Sequence, residues 1–325
     1  MKLALAGDVM LGRLVDAALE HRPADHPWGD TLPRFLNADW RACNLECVVS
    51  DRRPAVLPAK AFHFRSAARN VAVLEAAHID AVSIANNHVL DFGPEALLDM
   101  LDILDRAGIA RAGAGRDLEE ARRPAITMAT DGSRVGLVAC TDNEPDWEAG
   151  NRRPGVFHIE TDLADKGALA LLGITRDTRR EVDLLVVSLH WGPNWGYRPP
   201  RGHCPLARSL IEAGADVVLG HSGHVFRGIE IHQGRPIIYC AGDFIDDYAV
   251  DPVERNDQSF IFTVDVEGGR LRRVLLQPTM IEDCQARLAS GGEAAKILAK
   301  MNFLCAQLGT PLRCEGGTGE IEIPE

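Results

Sequence analysis

The chain has 325 residues and a formal net charge of −12, with 46% hydrophobic and 25% charged residues. This composition is typical of a folded globular protein and excludes a wholly disordered or fibrous chain. The acidic excess argues against a general nucleic-acid-binding protein, because neutralising phosphates requires a basic surface. We therefore expect no nucleic-acid partner.

The start of the chain and its cysteines bear on the cellular compartment. The first apolar run begins at residue 2, which leaves no space for a signal peptide, and no run of about 18 apolar residues follows. The eight cysteines are scattered without a CxxC pair, so we expect free thiols. The sequence predicts a cytoplasmic protein with no membrane partner, and it leaves the oligomeric state open.

Short apolar runs alternate with helical patterns, which indicates an α/β protein. The patterns predict strands over residues 2–7, 80–85, 134–140, 183–189, 216–219, 236–240, 259–266 and 271–277. They predict helices over residues 10–20, 94–107, 204–213 and 293–308. Glu267 to Arg270 predicts a hairpin turn between the last two strands.

No domain boundary is evident, so we predict a single domain over residues 1–325. The C-terminal hairpin and helix, at about 259–325, form part of it. Stretches rich in Arg and Pro at 51–58 and 151–155 predict surface loops, and the tail after Gly316 is expected to be mobile.

Polar side chains recur where predicted strands end. They are Asp8, Asn44, Glu46, Asn86, Asn87, His88, His190, His221, His224 and Asp243. Ligands of open α/β sheets bind at the carboxyl ends of strands, so loops at one edge can bring these groups together. Carboxylate, amide and imidazole donors suit one or two divalent ions among Mn, Zn, Fe, Mg and Ca. A single Asp or Asn here is more often a cap or turn residue, but the ordered set favours a metal site.

Neighbouring residues are candidates for substrate binding: Arg13, Asn44, Trp191 and Asn194. Arg13 suits an anionic substrate group, although an exposed helix arginine is equally compatible with the sequence. Trp191 and Trp195 suit a pocket wall, with packing as the alternative. The absence of GxGxxG, Walker A and GxSxG motifs leaves dinucleotide-binding, P-loop and serine-hydrolase interpretations without support.

In six ordered segments the chain resembles the poly-gamma-glutamate capsule-biosynthesis (CapA-type) family: GDVMLGR at 7–13, NLE at 44–46, ANNH at 85–88, DFG at 91–93, HWG at 190–192 and GHSGH at 220–224. This family belongs to the calcineurin-like metallophosphoesterase superfamily, and the resemblance runs from about residue 2 to 265. It implies a four-layer α/β/β/α metallophosphoesterase-like sandwich. It also implies the metal ligands Asp8, Glu46, Asn87, His190, His221 and His224, with Asp8, His88 and His224 in catalysis.

The chain departs from the usual patterns at three positions. Met10 stands where the superfamily's Asp-x-His motif has histidine, so one imidazole of the first metal site is missing. Asn194 replaces the glutamate that often ends His-Trp-Gly-x-Glu. Asp243 replaces the asparagine of Gly-Asn-Phe.

Three functional hypotheses follow. The first is a metal-dependent hydrolase acting on a phosphoester or on a peptide-like, gamma-glutamyl substrate. The alternative is a metal-dependent peptide epimerase in ribosomal peptide maturation, in which Asp8 and His224 act as two bases at an α-carbon. The third is a non-catalytic fold that binds a polymer or a partner chain.

Overall fold

The computed structural model describes residues 1–52 and 60–324. Residues 53–58 of the first predicted loop lie outside this part of the chain. In the second, predicted over 151–155, residues 151–153 are exposed, but Gly155 is buried in a short strand. The described strands, in chain order, are β1 (Lys2–Val9), β2 (Trp40–Leu45), β3 (Val48–Val49), β4 (Arg65–Ser66), β5 (Ala81–Ser83), β6 (Ala110–Ala112), β7 (Ala114–Gly115), β8 (Ala125–Met128), β9 (Arg134–Thr141), β10 (Gly155–Val156), β11 (Leu184–His190), β12 (Val217–His221), β13 (Ile229–His232), β14 (Arg235–Ile238), β15 (Asp243–Ile245), β16 (Gln258–Glu267), β17 (Arg270–Glu282), β18 (Gln285–Leu288), β19 (Arg313–Glu315) and β20 (Thr318–Glu322). The described α-helices are α1 (Arg13–Ala18), α2 (Leu32–Leu36), α3 (Ala72–Ala76), α4 (Gly93–Ala107), α5 (Leu118–Ala121), α6 (Lys166–Arg179), α7 (His203–Ala213) and α8 (Gly291–Ala306).

Two large mixed sheets organise the chain, which confirms the α/β class. The ten-stranded sheet has the order β19-β20-β17-β16-β1-β2-β5-β6, with β15 beside β1 and β18 beside β17. The six-stranded sheet has the order β13-β14-β12-β11-β9-β8. In the first sheet β1, β2, β5 and β6 run parallel, and in the second β9, β11, β12 and β14 do. Parallel neighbours bring their carboxyl ends to one edge, where the polar residues lie.

Both faces of the central strands are buried. In β1, Leu3 and Leu5 join an apolar cluster that includes side chains of both sheets, whereas Ala4 and Ala6 join a second cluster with α4. The side chains of strand β11 likewise alternate between the cluster shared by both sheets and a third cluster, which includes side chains of α6 and α7. Successive side chains of a strand point to opposite faces, so a strand covered on both faces reads as a continuous apolar run.

The helices predicted over 94–107, 204–213 and 293–308 are confirmed as α4, α7 and α8. Helices α4 and α7 end at Gly108 and Gly214, whose positive φ angles of 70° and 117° suit the left-handed position after a helix. Helix α1 covers only Arg13–Ala18 of the predicted 10–20, because the backbone N–H of Met10 still donates to the carbonyl of Ile245 and Gly12 is extended. Leu14 is 62% exposed. Within the described ranges, no helix combines the length and apolar character needed to cross a membrane.

The C-terminal segment is more ordered than the sequence predicted. The hairpin of β16 and β17 is confirmed, and β16 pairs with β1 in the first sheet. The expectation of a mobile tail after Gly316 is wrong, because β20 pairs with β17 and buries Ile321 completely. The short alternating run Thr318–Glu322 is stabilised by this long-range pairing, which a local pattern does not reveal.

Gly7 allows β1 to approach the segment before β15. A Cβ at residue 7 would lie 1.9 Å from the carbonyl oxygen of Gly242, so a larger side chain must push the two segments apart. We expect Gly7→Ala to lower the free energy of unfolding by about 3 kcal/mol, a typical cost of overpacking. Denaturant unfolding measures this loss.

Gly173 in helix α6 serves as the control for the Gly7 substitution. A Cβ at Gly173 meets no atom within 4 Å, so Gly173→Ala should stabilise the protein by up to about 1 kcal/mol through helix propensity. Equal unfolding midpoints for Gly7→Ala and the wild type would contradict the close approach of Gly7 to Gly242.

Candidate metal centre

Strand register explains how distant residues meet. Asp8 is aligned with Asn44 of β2 on one side and with Asp243 of β15 on the other. In the second sheet His190 and His221 are aligned partners at the ends of β11 and β12. The structure therefore brings together residues from both sheets at the carboxyl ends of their strands, where the sequence predicted a site.

Asp8 is held from several directions. Its Oδ1 accepts a hydrogen bond of 2.7 Å from Asn44 Nδ2, and its Oδ2 accepts one of 3.1 Å from the backbone N–H of Ser222. Oδ1 also lies 3.5 Å from His221 Nδ1. The Asp8 side chain is thus fixed against the histidine side of the site, with 1% of the residue exposed.

His190 links the histidine side to the loops of the first sheet. Its Nδ1 lies 2.9 Å from His221 Nδ1, and its Nε2 lies 3.0 Å from Asn87 Oδ1 and 3.9 Å from Glu46 Oε1. The Ser188 hydroxyl lies 2.7 Å from the other nitrogen of His221 and orients that ring. The two imidazoles, the amide and the carboxylate converge on one small volume.

This donor set fits a divalent cation. Two groups of three buried side chains place one ligand atom each within 4.8 Å of one another: Asp8, His190 and His221, and Asp8, Glu46 and Asp243. Glu46 is 2% exposed, yet its Oε2 has no hydrogen-bond partner among the described residues. A buried, unpartnered carboxylate oxygen is costly unless a cation or a proton neutralises it. Mixed oxygen and imidazole donors suit Mn, Fe, Zn or Mg.

Burial and crowding set the protonation of these groups. Burial, reinforced by the charge of Asp243, raises the pKa of Asp8 to about 7. Burial and the charge of Asp8 likewise raise the pKa of Glu46. Burial lowers the pKa of His190 and lowers that of His221 to about 3, so both imidazoles are neutral, the form that binds metals. A bound cation would favour the ionised carboxylates and offset their raised pKa values.

Two histidine–carboxylate pairs adjoin the centre. His88 Nδ1 lies 2.6 Å from Asp91 Oδ2, and His224 Nδ1 lies 3.1 Å from both oxygens of Asp243. Burial outweighs Asp91 and lowers the pKa of His88 to about 4. Burial also opposes protonation of His224, but Asp243 outweighs it and raises the pKa. The two imidazoles therefore differ in proton affinity, as an acid and a base in one site must.

A cavity of about 370 Å³ opens over this centre. Of the predicted site residues, its wall includes Arg13, Glu46, Asn87, His88, Asn194 and His224. Those buried away from its wall are Asp8, Asn44, His190 and His221. Trp191 does not line it: the ring is buried, stacks on His203 at 4.0 Å and donates to the carbonyl of Tyr239. Trp191 therefore packs in the interior, and Trp195 lines the cavity instead.

The sequence assigned no role to several residues at the site. Asp243 was noted only as a strand-end carboxylate, whereas here it contacts His224 and completes one candidate ligand group. Lys60 donates to the carbonyl of Asn87 and to Asp91 Oδ1, and so holds that loop. Asp91 follows His88 by three residues, a spacing that could have identified it, but nothing local marks Lys60.

The fold and the site define a mixed α/β protein with a candidate metal centre where parallel strands end. A family model described as "Bacterial capsule synthesis protein PGA_cap" matches residues 2–248, and the chain belongs to this family. The resemblance to CapA-type proteins is thereby confirmed.

Individual relatives agree with this assignment. A Mycobacterium tuberculosis protein named as a probable polyglutamine synthesis accessory protein is 37% identical over 291 residues, with 75% of this chain and 74% of that protein covered. The Bacillus subtilis PGA biosynthesis protein CapA is 27% identical over 248 residues, with 76% and 63% covered. A solved structure of a hypothetical protein from Thermus thermophilus matches with a TM-score of 0.50 at 15% identity, covering 89% of this chain and 100% of that one. The structural match supports the α/β fold alone.

Proposed function

We propose that this chain is a metal-dependent hydrolase that cleaves a phosphoester or a gamma-glutamyl amide in a peptide-like substrate. The observation that carries the proposal is the convergence of buried carboxylates and neutral imidazoles beneath a cavity, with Glu46 Oε2 unpartnered among the described residues. The names of the relatives, which refer to polyglutamine and PGA synthesis, support an amide of glutamate as the first substrate to test.

In this proposal the site residues have distinct roles. Asp8, Glu46, Asn87, His190 and His221 would hold the ion, joined by Asp243 and by His224 when that imidazole is neutral. A bound divalent cation would polarise the scissile group and acidify a water molecule. His224, whose pKa Asp243 raises, delivers a proton to the leaving group, and the neutral imidazole of His88 accepts one at Nε2 from the cavity wall. Arg13 and Asn194 contact the substrate.

We also propose a four-layer arrangement of sheets and helices for this chain. The apolar cluster shared by the two sheets and the two clusters that join each sheet to helices support a four-layer α/β/β/α arrangement. A single domain over residues 1–325, a cytoplasmic location and a small-molecule or peptide substrate as partner stay predictions of the sequence.

The epimerase alternative receives less support from the geometry. A two-base inversion needs both bases to reach one α-carbon from opposite sides. His224 lines the cavity, but Asp8 is 1% exposed, lies away from its wall and is engaged by Asn44 and Ser222. A purely structural or binding role does not explain why the buried Glu46 carboxylate, with one oxygen unpartnered among the described residues, lies beside Asp8 and Asp243.

A metal-resolved assay tests the proposal. The purified chain is treated with a chelator, reloaded separately with Mn, Zn, Fe, Mg or Ca, and its metal content is measured. Each form is then assayed with a phosphomonoester, a phosphodiester and a gamma-glutamyl anilide. We expect hydrolysis of at least one substrate that depends on the added metal. Bound metal with no hydrolysis of any of the three would contradict the proposal.

Asp91→Asn should slow this reaction. The substitution removes the carboxylate that fixes the Nδ1–H tautomer of His88, so Nε2 no longer presents its lone pair to the cavity as readily. We expect kcat to fall about 100-fold with little change in KM, because general base catalysis commonly contributes a factor of this size. The surface variant Asp102→Asn, whose side chain is 56% exposed, removes a charge elsewhere and should retain wild-type kcat. Equal kcat values for the two variants would exclude this role of Asp91.

A further inference from the structure

Arg13 presents its guanidinium group at the cavity. The residue has a φ of 54°, and its Cζ lies 5.8 Å from the ring centroids of Phe62 and Phe64 and 5.9 Å from that of Tyr248. Its Nε lies 3.4 Å from Asp247 Oδ2. Neither Nη atom has a hydrogen-bond partner within residues 1–52 and 60–324. Part of the guanidinium is therefore held, while its two terminal nitrogens stay available.

This arrangement suits an anion. Aromatic faces and one carboxylate restrict the guanidinium, so little conformational entropy is lost when a ligand binds. The same Asp247 oxygen accepts the backbone N–H of Leu14 at 2.8 Å, which fixes the carboxylate that holds Arg13. Two parallel N–H groups match the two oxygens of a carboxylate or a phosphate.

The wall beside Arg13 is apolar and partly open. Phe62 is 60% exposed and Trp195 is 44% exposed, and both line the cavity together with Phe64. The Tyr248 hydroxyl is buried at the same cavity with no hydrogen-bond partner among the described residues. Exposed aromatic rings gain free energy when an apolar group of a ligand covers them.

The groove next to the cavity is acidic and therefore disfavours anions. It shares Tyr248 and Asn256 with the cavity, and its acidic residues are Asp246, Asp247, Asp257, Glu282 and Asp283. A long polyanion that left the cavity along this groove would meet carboxylates on a chain with a net charge of −12. Like charges at short range disfavour such a ligand.

We propose that Arg13 binds one anionic group of the substrate, a carboxylate or a phosphate, while Phe62, Phe64 and Trp195 hold an adjacent apolar group. The cavity thereby selects a single anion next to an apolar substituent over a continuous polyanion. This inference rests on the proposed function for its cavity, but it concerns which substrates bind rather than whether they are cleaved.

Calorimetric titration of the chelator-treated chain, which holds no metal that could promote cleavage of the probes, tests the selectivity. The probes are gamma-glutamyl-phenylalanine, gamma-glutamyl-glutamate, phenyl phosphate and a short linear oligo-gamma-glutamate. We expect the phenylalanine dipeptide or phenyl phosphate to bind about 10-fold more tightly than the glutamate dipeptide and the oligomer, because one buried aromatic ring contributes this much or more. Tighter binding of phenyl phosphate than of the dipeptide identifies phosphate as the preferred anion.

Single substitutions test the contact of the anion with Arg13 and the contact of the apolar group with the aromatic rings separately. Arg13→Gln should weaken the tighter probe by about 10- to 100-fold, the range expected for a lost charge-assisted pair. Phe62→Ala should weaken that probe but leave the glutamate dipeptide within about twofold, since only the apolar contact is lost. Arg69→Gln changes the net charge equally at a position away from the cavity, and should match the wild type. Melting temperatures verify that each variant is folded.

Several results would overturn the inference. They are preferred binding of the oligomer, equal effects of Arg13→Gln and Arg69→Gln, or no binding of any probe at millimolar concentration. Because binding is measured without turnover, the selectivity can fail while hydrolysis is observed. Likewise, the selectivity can hold in a protein that cleaves none of the assay substrates.

Discussion

Replacing His190 with alanine is expected to remove both bound metal and hydrolytic activity. His190 is fully buried, and its two ring nitrogens lie 2.9 Å from His221 Nδ1 and 3.0 Å from Asn87 Oδ1. One imidazole therefore joins the ligands of the second sheet to those of the first. We expect kcat/KM to fall by about 1,000-fold or more, since a catalytic cation contributes several kcal/mol of transition-state stabilisation. Metal analysis and the hydrolysis assay measure the two losses separately.

Two further variants make this result interpretable. His232→Ala removes a histidine that pairs with Glu212 far along the second sheet, and it should retain metal and activity. His190→Gln keeps most of the side-chain volume, so it distinguishes a lost ligand from a collapsed core. A folded His190→Ala protein that keeps its full metal content would show that the centre is assigned to the wrong residues.

The sequence predicted the components of this centre because the positions of strands follow from local apolar patterns. Apolar runs identified β1, β11 and β12, and parallel strands must end at one edge of their sheet. Asp8 belongs to the other sheet, and the packing of the two sheets brings its Oδ1 to 3.5 Å from His221 Nδ1. The rule itself groups His190 with His221. Their alignment across neighbouring strands then follows from register.

Other parts of the site depend on contacts between segments far apart in sequence. Lys60 reaches the carbonyl of Asn87 and Asp91, and Tyr248 lies beside Arg13, yet no periodicity marks either residue. Trp191 and Trp195 are four residues apart, and only the fold decides that the first packs inside and the second lines the cavity. Burial of an individual side chain at a loop is a tertiary property.

Contacts between segments far apart in sequence also explain the short first helix and the ordered C-terminus. Apolar spacing over residues 10–20 predicted a longer helix, but the pairing of β1 with β15 extends to a hydrogen bond from the backbone N–H of Met10 to the carbonyl of Ile245. Strand β20 exists because β17 offers an edge to pair with. In both cases tertiary pairing outweighs local propensity.

Glu46→Gln should separate metal binding from folding. Burial and the nearby charge of Asp8 raise the pKa of Glu46 well above its ordinary value, which shifts its titration toward the neutral acid in the metal-free protein. The amide has nearly the shape of that neutral acid. We therefore expect the chelator-treated variant and wild type to have free energies of unfolding within about 1 kcal/mol of each other, a small effect for a buried polar substitution.

Added metal should then distinguish the two proteins. A ligand that binds only the folded state stabilises it by about 2.7 kcal/mol at 100 times its Kd. The wild type should gain this amount, whereas Glu46→Gln should gain much less because the amide lacks the charge that the cation needs. Denaturant unfolding with and without Mn or Zn measures both gains. Glu119→Gln, at a side chain 89% exposed, makes the same chemical change and should respond like the wild type. Equal gains in Glu46→Gln and wild type would mean that the unpartnered Oε2 does not face the ion, and the proposed ligand set would have to exclude Glu46.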